Sequence, residues 1–150
     1  MVERLTSTFS FELDVTVRTT VNPSEDPAIV LAAIDLLFGT SSRTGLTVSG
    51  GSVDAVYSGS QALEKVYEQV RSKGTVNVLR RLLRNRKEEG GTSFLINKQM
   101  ATRGVVVLCE NEAESPLGAI SVGAATPEVG HFIDWIAPSY ERPKRSFRKR

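Results

Sequence analysis

The chain has 150 residues and a formal net charge of +2, with 40% hydrophobic and 24% charged residues, a composition typical of a globular domain that buries a substantial core. No stretch approaches the roughly 20 apolar residues of a membrane helix, and the start of the chain lacks the apolar run of a signal peptide. The single cysteine, Cys109, excludes an internal disulfide. These features predict a cytoplasmic protein.

The first predicted element is a strand in which apolar residues alternate with polar ones from Phe9 to Arg18. Such alternation indicates one buried and one wet face. A helix then begins at the capping residue Asp26 with Pro27 in its first turn, and Gly39 ends it. Its apolar residues recur at helical spacing: Ile29, Val30, Ala33, Ile34 and Leu37.

Two short strands, 46–48 and 53–57, follow the helix and are separated by Ser49-Gly50-Gly51-Ser52. Adjacent glycines suit a hairpin turn. A phosphate-binding loop is the alternative, but the GxxxxGK[ST] and GxGxxG patterns are absent around these glycines. We therefore predict a hairpin.

Two more helices are predicted between residues 60 and 87. Ser60 is the expected cap of the first, whose buried face is Leu63, Val66, Tyr67 and Val70. The second runs from about Thr75 to Lys87 and buries Val76, Leu79, Leu82 and Leu83.

The segment Ser93 to Val122 predicts three strands, at 94–96, 105–109 and 119–122. Asn97-Lys98-Gln99 ends the first strand, and Ser115-Pro116-Leu117-Gly118 has the composition of a turn into the third. A last helix begins at Thr126-Pro127 and ends before Pro138. The fold class is therefore α+β, with an antiparallel sheet whose helices pack on one face.

The positive charge is concentrated at the C-terminus, where the last nine residues, RPKRSFRKR, hold six basic residues and no acid. Removing those six charges from the net +2 leaves residues 1–141 at −4. We predict one domain over residues 1–138 and a basic, disordered tail over residues 139–150, because the tail has little apolar surface to bury.

Little in the sequence indicates an enzyme, a cofactor or a metal site. His131 is the only histidine and Cys109 the only cysteine, so a zinc site is not expected. The alternating acids Glu110, Glu112 and Glu114 are more typical of a solvated edge than of a cation site.

Three sets of residues are candidates for binding RNA. The helix set carries five cations within eight residues, although a solvated helix face is the alternative; it comprises Arg80, Arg81, Arg84, Arg86 and Lys87. The rim set lies at strand ends, where it contacts phosphate or sugar or simply completes the strands; it comprises Asn97, Lys98, Gln99 and Arg103. The tail set is suited to any polyanion or to solubility alone; it comprises Arg142, Lys144, Arg145, Arg148, Lys149 and Arg150.

Three short motifs resemble an archaeal UPF-type family of uncharacterised proteins labelled RNA-binding. The motifs are FLINKQMA from Phe94, ESPLGAI from Glu114 and DWIAP from Asp134. Met100 and Ala119 depart from the family pattern, where Ala and Pro are usual. The resemblance implies a fold like that of ribosomal protein L5, a homodimer, and an RNA partner of structured or ribosomal type.

The leading hypothesis is a non-enzymatic RNA-binding protein that contacts the phosphate backbone of structured RNA. Its contacts are the helix set, the rim set, and the tail through residues such as Arg145 and Arg148. The alternative is a homodimeric protein-interaction or assembly module that does not bind nucleic acid. The net −4 of residues 1–141 favours this alternative.

Overall fold

The computed structural model describes residues 9–115 and 117–139, and these residues build one six-stranded sheet. The strands are β1 (Asp14–Thr20), β2 (Arg43–Ser49), β3 (Ser52–Ser58), β4 (Gly91–Asn97), β5 (Leu108–Cys109) and β6 (Ala119–Ala125). Their order across the sheet is β2-β3-β1-β6-β4-β5, and every neighbouring pair is antiparallel.

Five helices accompany the sheet: α1 (Pro27–Phe38), α2 (Glu64–Ser72), α3 (Val76–Asn85), α4 (Lys98–Ala101) and α5 (Val129–Ile136). Short 3₁₀ turns occupy Gln61–Leu63 and Glu112–Glu114. Within the described residues, every helix is too short or too polar to cross a bilayer.

The main core lies between the helices and one face of the sheet. Val17 of β1 pairs with Ala55 on one side and with Val122 on the other, and Val122 pairs with Phe94. All four are buried. The opposite sheet face carries small and polar residues such as Thr16, Arg18, Ser93 and Ser121, together with a small buried cluster of Leu95, Cys109 and Ala119. The predicted α+β class with helices on one sheet face is therefore confirmed.

The first helix and the hairpin are confirmed in detail. The Asp26 carboxylate accepts a hydrogen bond from the Ala28 backbone N–H at 2.9 Å, which caps α1. Gly39 ends the helix at φ 73°, in the left-handed region that glycine occupies without strain. Residues 49–52 connect β2 to β3, as the adjacent glycines predicted.

The first strand is shorter than predicted, because it begins at Asp14 rather than Phe9. The alternating residues before it leave the sheet and pack on α5. Phe9 meets the ring of Phe132 at a centroid distance of 5.6 Å, and Phe11 stacks on His131 at 4.9 Å. Apolar residues therefore continue to alternate before the hydrogen-bonded strand begins, because one side of this segment packs on α5.

The predicted strand 105–109 was also too long, since only Leu108–Cys109 pairs with β4. Ser60 was wrong as a cap, because its side chain makes no capping hydrogen bond. The last helix starts at Val129 rather than Pro127, although the Thr126 hydroxyl accepts a hydrogen bond from the Glu128 N–H at 3.2 Å. The helix predicted to reach Lys87 ends at Asn85.

Candidate nucleic-acid interface

Lys98 is the first residue of α4, and its side chain is buried with 2% of its surface exposed. The ammonium group donates to the carbonyl oxygens of Thr20 at 2.8 Å and Leu117 at 2.7 Å. It also contacts Glu25 Oε1 at 3.0 Å. An ammonium has three N–H donors, so these partners use its full capacity.

Glu25 completes a polar network around this lysine. Its carboxylate accepts hydrogen bonds from the Asn22 backbone N–H at 2.9 Å and the Asn22 amide at 3.0 Å. Burial acts to raise the pKa of Glu25, but the hydrogen bonds from Asn22 and Lys98 outweigh it and hold the pKa below its usual value. The Asn22 amide also donates to the Leu117 carbonyl at 2.9 Å.

This network joins the NKQ and SPLG motifs in space. Lys98 of the first motif binds the Leu117 carbonyl of the second. The Gly118 N–H donates to the Ser115 carbonyl at 2.9 Å, which closes the turn predicted there; Pro116 lies outside the described residues. The sequence prediction that Lys98 contacts phosphate conflicts with its burial and its saturated donors, so we leave it out of the proposed interface.

The other rim residues have different surroundings. The Asn97 side chain accepts a hydrogen bond from the Met100 N–H at 2.9 Å and thereby caps α4. Gln99 and Arg103 are exposed. Of the rim set, these two are the exposed residues, whereas Asn97 is half-buried and Lys98 is buried.

Arg80 of the helix set is engaged with α5. Its guanidinium donates to Asp134 Oδ1 at 2.8 Å and to the Ala137 carbonyl at 3.1 Å, and its side chain is 22% exposed. Arg71 of α2 donates to the carbonyls of Trp135 and Ile136, each at 3.1 Å. Two arginines thus satisfy carbonyls that a helix C-terminus leaves unpaired.

The DWIAP motif thus receives both arginines: the Asp134 side chain pairs with Arg80, and the next three backbone carbonyls accept from Arg71 or Arg80. Asp134 was noted in the sequence only as the start of the DWIAP motif, and Arg71 was not singled out. Asp134 lies 54 residues from Arg80 along the chain, a separation at which no local pattern signals a contact.

Arg81 forms an exposed, bidentate ion pair with Glu110, with donor–acceptor distances of 3.1 and 2.6 Å. The hydrogen bonds to Glu110 raise the pKa of Arg81, and those from Arg81 lower the pKa of Glu110. Arg86 donates to the Glu110 backbone carbonyl at 3.3 Å. Glu110 is thus an arginine partner, and the described residues contain no cluster of three or more His, Cys, Asp or Glu suited to a metal ion.

Arg84 and Lys87 are the exposed cations of the helix set that have no carboxylate partner within residues 9–115 and 117–139. Arg84 lines a groove of about 380 Å³ together with Arg80, Arg81 and two asparagines. It also lines an adjoining groove of about 240 Å³ with Arg80, Lys87 and residues of α5. We call this basic area the α3 surface: Arg80, Arg81, Arg84 and Lys87.

The structure therefore gathers the helix set but does not join it to the rim set. Lys98 and Gln99 line a separate recess between α1 and α4. Arg145 and Arg148 lie outside the described residues, as does the rest of the basic tail. An acidic rim adjoins the α3 surface, since a wider groove beside Lys87 is also lined by Glu88, Glu89 and Glu128.

Comparison with known proteins decides the family. A family model described as RNA binding matches residues 14–125. A UPF0201 protein of Saccharolobus islandicus is 32% identical over 121 residues, which cover 79% of this chain and 82% of the relative. One from Pyrobaculum aerophilum is 35% identical over 121 residues, covering 79% of this chain and 84% of the relative.

The chain belongs to the UPF0201 family. The resemblance drawn from the three motifs is thereby confirmed. The crystal structure of a UPF0201 protein from Methanococcus jannaschii has a TM-score of 0.70 and 26% identity, and the match covers 85% of this chain and 95% of that one. A DUF54 protein from Methanothermobacter thermautotrophicus shares the fold with a TM-score of 0.58 at 17% identity, over 85% of this chain and 99% of that one.

In this UPF0201 protein, the segment matched by the family model runs from the start of β1 to the end of β6. It contains all of α3 and the Lys98 network. It excludes α5 and the basic tail. The residues that the match covers therefore include the α3 surface but not Arg145 or Arg148.

Proposed function

We propose that this UPF0201 protein binds structured RNA through its phosphate backbone at the α3 surface. The observation that carries the proposal is the exposure of Arg84 and Lys87 within the segment that matches a family model described as RNA binding. Neither cation has a carboxylate partner among the described residues. Guanidinium and ammonium groups are the usual protein partners of phosphate oxygens.

The spacing of these cations suits successive contacts along one RNA strand. Arg80 and Arg84 are four residues apart, and α3 rises about 1.5 Å per residue, so they lie about one turn apart on the same side. Lys87 continues this direction just beyond the helix end. Arg84 and Lys87 supply the free charge, while Arg80 is held by Asp134.

In this proposal, Arg81 contacts phosphate only after it releases Glu110. Its pair with Glu110 is about half exposed on both sides. Solvent screens exposed pairs of this kind and they contribute little to stability, so a phosphate can replace the carboxylate at small cost. Phosphate contacts carry no sequence information, and we therefore expect RNA to be selected by shape at this surface.

The test is RNA binding by fluorescence anisotropy over a salt series, with the full chain throughout. Replacing Arg84 and Lys87 by Gln removes two phosphate contacts. The plot of log K against log salt concentration should then be shallower, with a slope smaller in magnitude by about 2. A matched control is Arg18→Gln, which removes an exposed arginine from the helix-free face of the sheet. Equal loss in the control, or no loss in the double variant, contradicts the proposal.

A further full-length variant carries Gln at all six tail cations. If binding disappears in that variant while Arg84→Gln/Lys87→Gln binds normally, the tail is the polyanion contact and the α3 surface is not. Weakened binding in both variants supports a domain contact assisted by the tail.

A second candidate function is a homodimeric interaction module, and edge strand β2 favours it. Leu46 and Val48 are 41% and 46% exposed on this strand, whose outer edge has no partner strand within the described residues. Pairing of β2 with its copy would satisfy the backbone groups of this edge and bring both side chains against those of the partner strand. Sedimentation equilibrium of wild type and Leu46→Lys tests this: a dimer lost in the variant supports it, and a monomeric wild type contradicts it.

A further inference from the structure

A recess of about 250 Å³ lies between α1 and α4, on elements different from those of the α3 surface. Ile29, Val30 and Leu117 form its apolar walls, and Asp26, Gln99 and Thr102 stand at its rim. We propose that this recess holds one unpaired nucleobase of a bound RNA, with the amino-bearing edge of the base toward Asp26 and Gln99. The proposal rests on the proposed function for its ligand, and it concerns a different contact.

The charges of the recess exclude phosphate as its ligand. Lys98 lies in the floor, but its ammonium already donates to two carbonyls and Glu25. Lys98 offsets the charge of Glu25, so Asp26 leaves the lining with a net negative charge. An anion is therefore repelled, whereas an uncharged ring with N–H donors is not.

The walls provide an apolar surface that nothing in the described chain covers. Ile29 is 58% exposed although it belongs to the apolar stripe of α1, while Val30 beside it is buried. A planar base placed against Ile29 and Leu117 would remove this surface from water, which is favourable. The volume lies below the range of about 300–1,000 Å³ for drug-sized ligands, so it suits a single ring system.

The free polar groups at the rim match an amino edge. Asp26 uses Oδ1 to accept from the Ala28 N–H, which leaves its other oxygen available. Gln99 is exposed, and its side chain makes no hydrogen bond within the described residues. Carboxylates accept a hydrogen bond from the N4 amino group of cytosine, and glutamine forms two hydrogen bonds with N6 and N7 of adenine. Uracil lacks an exocyclic amino group, so adenine and cytosine are favoured over uracil.

The floor is rigid enough for such discrimination. Lys98, Glu25 and Asn22 connect α4, the start of α1 and the turn at Leu117 through hydrogen bonds of 2.7–3.0 Å. The recess is thus held by the same network that makes Lys98 unavailable to phosphate. Sequence-specific RNA contacts usually target unpaired bases of loops, because their pairing edges are free.

The test compares two labelled RNA hairpins with the same stem, one with a loop of four adenosines and one with a loop of four uridines. We expect wild type to favour the adenosine loop by about 5- to 150-fold, the discrimination of one good two-point contact. Asp26→Asn/Gln99→Leu should abolish the preference, so that the variant binds the two loops equally. Asn caps helices as well as Asp does, so α1 is retained.

Three controls separate the possible outcomes. Asp14→Asn/Gln61→Leu makes the same chemical change elsewhere and should keep the preference. Arg84→Gln/Lys87→Gln should weaken the binding of both hairpins by the same factor. If it does not, the proposal for the α3 surface is contradicted, but the proposal for the recess is not. Equal binding of both loops by wild type, or a preference that survives Asp26→Asn/Gln99→Leu, overturns the nucleobase proposal.

A direct readout is independent of RNA binding. In a titration of ¹⁵N-labelled protein with adenosine, the side-chain amide signals of Gln99 should shift, whereas uridine at the same concentration should shift them much less. Equal shifts with both nucleosides, or none with adenosine, count against the recess as a base site.

Discussion

Replacing Lys98 by methionine is the sharpest test of how this fold is held together. Methionine is unbranched and one heavy atom shorter than lysine, so the change keeps most of the apolar stem and removes the ammonium group with its charge and donors. Lys98 is 2% exposed and Glu25 is 10% exposed, so the partner carboxylate stays buried after the substitution. The carbonyls of Thr20 and Leu117 also lose a donor.

Breaking a buried ion pair from one side typically costs about 3–5 kcal/mol, because it leaves an uncompensated buried charge. For a chain of this size, each kcal/mol lowers the melting temperature by about 2–4 °C. We therefore expect Lys98→Met to melt about 6–20 °C below wild type. The free-energy cost is a large share of the roughly 5–15 kcal/mol that stabilises an ordinary domain.

The assay is thermal and urea unfolding followed by circular dichroism, with Lys65→Met as the matched control. Lys65 is exposed and donates to a single carbonyl, that of Leu36. Lys65→Met should lower the free energy of unfolding by about 1 kcal/mol or less. Adding Glu25→Gln to Lys98→Met should recover part of the loss, because the buried charge is then gone. If Lys98→Met is as stable as the control, the argument that this lysine is structural is refuted.

Three further predictions follow from pKa shifts and close contacts. Since the pKa of Glu25 is held below its usual value, its contribution to stability is present above about pH 4.5 and lost as pH falls through the lowered pKa; acid titration of Glu25→Gln should show a smaller loss in that window than wild type. Burial raises the pKa of the Cys109 thiol, so it should react slowly with Ellman's reagent in the native protein and rapidly in denaturant; fast native labelling at 412 nm would argue against its burial. Gly91→Ala should cost about 1–3 kcal/mol in urea unfolding, because its Cβ would lie 2.8 Å from the Ala124 carbonyl oxygen, whereas Gly130→Ala in open space on α5 should be neutral or stabilising.

Much of the fold was predictable from local patterns. The cap at Asp26, the helical stripe of α1 and the Gly50-Gly51 turn each depend on residues a few positions apart. The same holds for the sheet with one buried face, since alternation in β1 and the short spacing of strands after Ser93 reveal it. The limits of these elements were less predictable, because Phe9 and Phe11 alternate for packing on α5 rather than for pairing.

The candidate interface was predictable only as an inventory of cations. Arg80, Arg81 and Arg84 look alike in the sequence, yet the fold pairs the first with Asp134 and the second with Glu110. In the part of the chain that the structure describes, Arg84 has no carboxylate partner. Local periodicity places all three on one side of α3. It contains no information about which carboxylates another element brings to them.

The amino-acid sequence by itself determined the class of the fold, the family and the concentration of basic residues on α3, because these depend on local spacing and on motifs. The tertiary structure alone decided which cations are free. Glu25 reaches Lys98 across 73 residues of chain, and Asp134 reaches Arg80 across 54. Whether a charge is available to a ligand depends on such long-range contacts and on burial, and both arise only when the sheet and its helices assemble.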